Sequence, residues 1–182
     1  MEVNSLKQKE VLGIILGGAI FIFGIPLLII LLSHFLDNYF NLPGFNFRLA
    51  VLFSPFLMIT GLILVIWSVW CQFKRGKGSP VPLIPTQKLV ITGPYKYCRN
   101  PMALGTVIYY FGIALFESSF SPLLLVALFS ILFVLYIKLV EEKELEARFG
   151  KDYSEYKKKT PFIIPRIDKK GKLFKFRNDH NS

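Results

Sequence analysis

Residues 11–36, VLGIILGGAIFIFGIPLLIILLSHFL, run for about 26 positions without an Asp, Glu, Lys or Arg. At ~1.5 Å rise per residue such a helix crosses the ~30 Å hydrocarbon layer with some tilt. Inside that layer backbone polar groups must find partners within the chain, so the run is expected to be helical. It is too long for a cleaved signal peptide and lacks a small-residue cleavage pattern. Pro26 is expected to kink it, with neighbouring helices taking up the freed carbonyl.

Three more apolar runs follow. LAVLFSPFLMITGLILVIWSVWCQF covers 49–73, MALGTVIYYFGIALF covers 102–116, and SPLLLVALFSILFVLYIKLV covers 121–140. Glu117-Ser118-Ser119 separates the last two and predicts a tight helical hairpin. Hydrophobic residues make up 53% of the chain, and mean hydropathy is +0.47. The expected fold is therefore an all-α integral membrane protein forming one domain over 1–182. It has about four spans, near 11–36, 49–73, 101–117 and 120–140. The third run is short for a crossing.

Loop charges orient these spans. The 74–101 loop carries Lys74, Arg75, Lys77, Lys88, Lys96 and Arg99 and no acid, whereas the other two loops hold only Asp37, Arg48 and Glu117. By the positive-inside rule the long loop and both termini face the cytoplasm. The net charge of +10 follows this sorting, which fits membrane lipids as partners and not nucleic acid. Cys71 and Cys98 imply no disulfide framework. His34 and His180 stand apart from any ligand cluster, so no metal site is expected.

Past residue 140, Leu145, Phe149, Tyr153 and Tyr156 recur at helical spacing and predict a cytoplasmic amphipathic helix over 141–160, kinked at Gly150. Glu144 can pair with Arg148, while Glu142 and Glu146 are like charges four apart. Glu141 and Glu142 leave the membrane together and call for a cation, either Arg99 or Lys96 or an ammonium on a ligand. Pro80, Pro82, Pro85, Pro94 and Pro101 hold the central loop in stiff segments. Asn100-Pro101 reads as a helix start, serving either as an anion site with Arg99 or as a capped span. Gly76-Lys77-Gly78 allows close backbone approach. The chain has no P-loop, GxSxG elbow or HExxH motif.

GKGSPVP (76–82), LVITGPYKYCRNPMALG (89–105) and EEKELEARFGKDYSEYKKKTPFIIP (141–165) together resemble the integral-membrane isoprenylcysteine carboxyl and phospholipid methyltransferases. The resemblance implies S-adenosyl-L-methionine as donor and a lipophilic small-molecule or lipidated acceptor. It assigns Arg99 and Asn100 to catalysis. It assigns Gly76, Gly78, Tyr95, Arg99, Asn100, Pro101, Gly105, Glu141 and Glu142 to the cofactor. Ala103 stands where many members have Tyr, and Asn100 where many have His, which leaves the acceptor open. Two alternatives remain: a nicotinamide-dependent sterol-type reductase relative, and a non-catalytic lipid-binding protein. Glu142→Ala is expected to spare the fold.

Overall fold

The computed structural model describes residue 13 and residues 15–44, 48–76 and 86–165, and among these no strand forms. Three helices are long and apolar enough to cross a membrane: α1 (Ile15–Phe40), α2 (Arg48–Gly76) and the continuous helix Phe120–Lys159. The last consists of α4 (Phe120–Tyr136), a π-helical turn over Ile137–Glu141, and α5 (Glu142–Lys159). Between α2 and α4 lies α3 (Pro101–Phe116), apolar but only 16 residues long, or about 24 Å of helix. By length, then, the expected four spans are three and a shorter companion.

The shortness of α3 has a packing counterpart. Gly105, Thr106, Tyr109, Tyr110, Gly112, Ile113 and Ala114 are all buried, so α3 is the enclosed centre of the bundle. The outer faces of its neighbours are the reverse, with Leu28, Leu52, Phe56 and Leu124 each more than 60% exposed. In water such a surface would be a liability; against acyl chains it is the expected one. The most extensive helix contact is that of α2 with α3. A β-carbon on Gly105 would come within 2.8 Å of the Gly61 carbonyl, and one on Gly61 within 2.6 Å of the Gly105 carbonyl. Only glycine at both positions lets the two backbones close to that distance.

Pro26 shows how the bundle repairs a broken helix. Proline has no N–H to offer the carbonyl four residues back, Ile22, or the one five back, Phe21, which matters because Ile20–Gly24 is π-helical. Both carbonyls accept instead from α3: Tyr109 donates its hydroxyl to Ile22 O at 3.0 Å and Tyr110 to Phe21 O at 2.6 Å. The Tyr109-Tyr110 pair thus supplies the donors that Pro26 withholds.

The two ends of the bundle differ in chemistry. At one end the α3–α4 turn meets the C-terminal end of α1: His34 pairs with Glu117 at 2.9 Å, and Ser119 donates to Asp37 at 2.7 Å. Gly44 bridges Ser119 there as well. At the other end a 3-10 turn, Gly93–Lys96, sits against the end of α2, with Gln72 donating to the Tyr95 hydroxyl at 2.6 Å. α3 therefore runs between the same two ends as its longer neighbours.

Tyr110→Phe is expected to lower stability in detergent by about 0.5–2 kcal/mol, since it strands the Phe21 carbonyl in an apolar surrounding. On a Pro26→Ala background, where the helix recovers its own donor, the same change should cost clearly less. Thermal unfolding of the four proteins of that double-mutant cycle measures the coupling.

Candidate active site

The polar end is assembled from three stretches far apart in sequence. The first is the end of α2. Gly76 lies there against the chain that returns from the loop: its carbonyl accepts from the N–H groups of Gln87 at 2.8 Å and Lys88 at 3.2 Å. A β-carbon at Gly76 would meet the Thr86 side chain at 2.8 Å, so its close approach is to protein. Gly78 lies outside the described residues.

The second stretch, Thr92 to Pro101, leads into α3. Tyr95, Cys98, Asn100 and Pro101 are buried. Pro101 is the first helical residue and Asn100 occupies the N-cap position, as the sequence implies, yet the Asn100 side chain makes no cap bond. Its amide is already engaged, donating to Phe162 O at 3.0 Å. Burial pushes the Cys98 thiol up to about 11, which keeps it protonated and a poor nucleophile at neutral pH.

The third stretch is α5, the helix past the π-helical turn. At Gly150 (φ 53°, ψ −121°) the helix kinks. Nothing stands within 4 Å of a β-carbon there, so the demand for glycine is one of backbone angle alone. Beyond the kink Tyr153 and Tyr156 are buried, and the Tyr156 hydroxyl donates to Tyr95 O at 2.6 Å. Past Thr160 the chain lies along the start of α3. Arg99 N–H donates to Pro161 O at 2.9 Å and Asn100 N–H to Phe162 O at 3.1 Å.

Arg99 is the junction of all this. Its Nε and Nη2 both reach Glu142 Oε1, at 2.9 and 2.6 Å. Nη1 donates to Lys157 O at 2.9 Å and Thr160 O at 2.7 Å. The side chains of Arg99 and Glu142 are 9% and 4% exposed, so this is a desolvated, charge-assisted pair. Lys157 closes the circuit, touching Glu142 Oε2 at 3.2 Å and Glu146 Oε1 at 2.7 Å. A cation shared by both acids relieves the like-charge contact expected between Glu142 and Glu146. The expected Glu144–Arg148 pair also forms.

Glu141 is different. Its carboxyl has no ion pair among the described residues. Burial, then the charges of Glu144 and Glu142, raise its pKa above the usual carboxylate value. The Tyr95 hydroxyl is likewise pushed up, by burial first and then by the charge of Glu141, while its bond from Gln72 opposes the shift. Beside Tyr95, Gln72 Oε1 is buried with no partner, and so is Thr92 Oγ1 on the same turn. Buried acceptors left open are unusual in a finished interior.

A model of the phospholipid methyltransferase family matches residues 49–152, more than half of the 182 residues. The chain belongs to that family. Searches of the curated proteins and of the solved structures returned no match. Membership places this chain in a membrane methyltransferase family within the isoprenylcysteine and phospholipid methyltransferase superfamily, and three of its helices are long and apolar enough to span a membrane. The family match ends before Lys157, Thr160 and Phe162, whose contacts hold Arg99 and Asn100 in place. Gln72 belongs to no motif, and its one sign in the sequence is a lone amide at the end of an apolar run.

The buried pair revises the expectation that Glu142→Ala spares the fold. Removing either partner leaves a charge without compensation, and Arg99→Ala or Glu142→Ala should each cost about 3–5 kcal/mol. Replacing both by apolar residues, Arg99→Met with Glu142→Leu, should recover most of that loss. Denaturation of the single and double variants in the same detergent measures both quantities.

Proposed function

We propose that the protein transfers a methyl group from S-adenosyl-L-methionine to a lipophilic acceptor at the membrane surface, with a phospholipid amine as the favoured class. Family membership supports the reaction type. The observation that carries the cofactor reading is the group of open acceptors around Tyr95: Glu141 without a cation, and Gln72 Oε1 and Thr92 Oγ1 without donors. A molecule bearing an ammonium and ribose hydroxyls brings the donors that these atoms lack.

In this reading Glu141, Gln72, Thr92 and Tyr95 form the binding wall. The bound donor supplies an electrophilic methyl group. The protein's part is to hold the acceptor in line with it and to exclude water, which is positioning work. Arg99, Asn100 and Glu142 act as positioning residues, fixing the 93–100 turn to the returning end of α5. Pro101 sets the entry of α3, and Gly105 seats α3 on α2 so that the turn stands at the right height. By the positive-inside rule this end faces the cytoplasm, together with both termini. The exposed flanks of α1, α2 and α4 leave the acceptor a route in from the lipid.

Calorimetric titration of the detergent-purified protein with S-adenosylhomocysteine, and with NADPH in parallel, tests the reading. Binding of the first and not the second is expected. Binding of NADPH would move the protein to the reductases, and binding of neither would favour a non-catalytic lipid-binding role.

The raised pKa of Glu141 gives the binding a pH signature. At low pH the carboxyl is protonated in both folded and unfolded chains and costs nothing. As pH rises from the unfolded carboxyl's pKa towards the higher folded one, the unfolded chain ionises first and stability falls, levelling off once the folded pKa is passed. Glu141→Gln is therefore expected to keep or slightly raise the melting temperature at neutral pH. The same change should weaken S-adenosylhomocysteine binding about tenfold or more, the loss of one charge-assisted bond. Wild-type affinity should rise as Glu141 ionises, and the variant should lack that rise; equal affinities would remove Glu141 from the wall.

A further inference from the structure

A second feature of this end is a cavity of about 440 Å3 at the junction of α4 and α5. Its charged lining is Arg99, Lys138, Glu142, Lys143, Glu146 and Lys157, and Leu139 and Phe162 give it an apolar side. Four cations face two acids. The acids are already engaged, Glu142 by Arg99 and Lys157, and Glu146 by Lys157. Lys138 and Lys143 are left exposed and without an ion pair among the described residues, the first within the π-helical turn Ile137–Glu141 and the second just past it. The surplus charge of the cavity is therefore positive and belongs to these two side chains.

Depth narrows the choice of anion. The turn directly follows the apolar α4, and Leu139 and Val140 within it are 56% and 48% exposed. Exposed aliphatic side chains interleaved with lysines at the end of a span mark the level where acyl chains give way to headgroups. We propose that this cavity binds the phosphate of a membrane phospholipid through Lys138 and Lys143, with Leu139 and Phe162 against the glycerol and upper acyl carbons. A phosphodiester brings one negative charge and several acceptor oxygens, which two lysine ammonium groups can share. Use of this subsite to anchor the methyl acceptor rests on the reading under Proposed function; the binding itself does not.

The test is a titration of delipidated protein in an uncharged detergent with soluble dihexanoylphosphatidylethanolamine. The K138Q/K143Q double variant is expected to bind it at least tenfold more weakly, with S-adenosylhomocysteine affinity and melting temperature unchanged. K151Q, an exposed lysine outside the cavity, should match the wild type. Equal lipid binding by K138Q/K143Q would overturn the proposal. Equally tight binding of dihexanoylglycerol, which lacks the phosphate, would overturn it too. Competition by inorganic phosphate at the lipid's own concentration would make this a free-anion site and overturn the lipid assignment. A parallel loss of S-adenosylhomocysteine affinity would place the lysines on the donor instead. A protein that binds the phospholipid but not S-adenosylhomocysteine would keep this inference and lose the methyl-transfer one.

Discussion

A guanidinium and a carboxylate removed from water must find each other, and the polar end of this protein is built on that requirement. Arg99 comes from the loop before α3, and Glu142 from the helix after α4. Their pairing ties the start of the enclosed helix to the exit of the last long one. The remaining donors of Arg99 then collect the carbonyls of Lys157 and Thr160, so one side chain makes four polar contacts to three separate residues. Lysine could carry the charge but not that fork of directed bonds.

The same demand, that no polar group be stranded, shapes the interior. Within hydrocarbon a proline's missing N–H becomes a fault that another helix must answer, and Tyr109 and Tyr110 answer it for Pro26. The two hydroxyls would be as costly as the two carbonyls if either set stood alone. Proline in α1 and tyrosines in α3 are best understood as one feature shared between two helices.

Much of this was legible in the sequence. Charge-free length identified the long helices, Pro26 and Gly150 marked real irregularities, and the spacing of Glu144 and Arg148 gave a real pair. What could not be read was which distant partner each polar group would take. Asn100 has the residue type of a cap, but its amide turns to Phe162, since the returning chain offers a carbonyl that local spacing does not reveal. Gly76 permits close approach, as expected, and so does Gly105, which the resemblance gave to the cofactor; what approaches them is protein: the Thr86 side chain and the backbone of Gly61. A glycine announces that something comes near without saying what. The enclosed position of α3 was hidden for a related reason: hydropathy does not distinguish a helix that faces lipid from one wrapped by other helices.

The kink at Gly150 has a consequence for the order in which the molecule can be made. Arg99 precedes Glu142 by 43 residues, with the whole α3–α4 hairpin between them. The carbonyls that complete its shell, at Lys157 and Thr160, follow still later. During synthesis the loop before α3 must therefore remain hydrated until the hairpin has entered the bilayer and the helix beyond it has emerged and folded back. Closure of this end is the last act of assembly: a chain that stopped at the kink would offer its arginine the Glu142 carboxylate but neither of the two carbonyls.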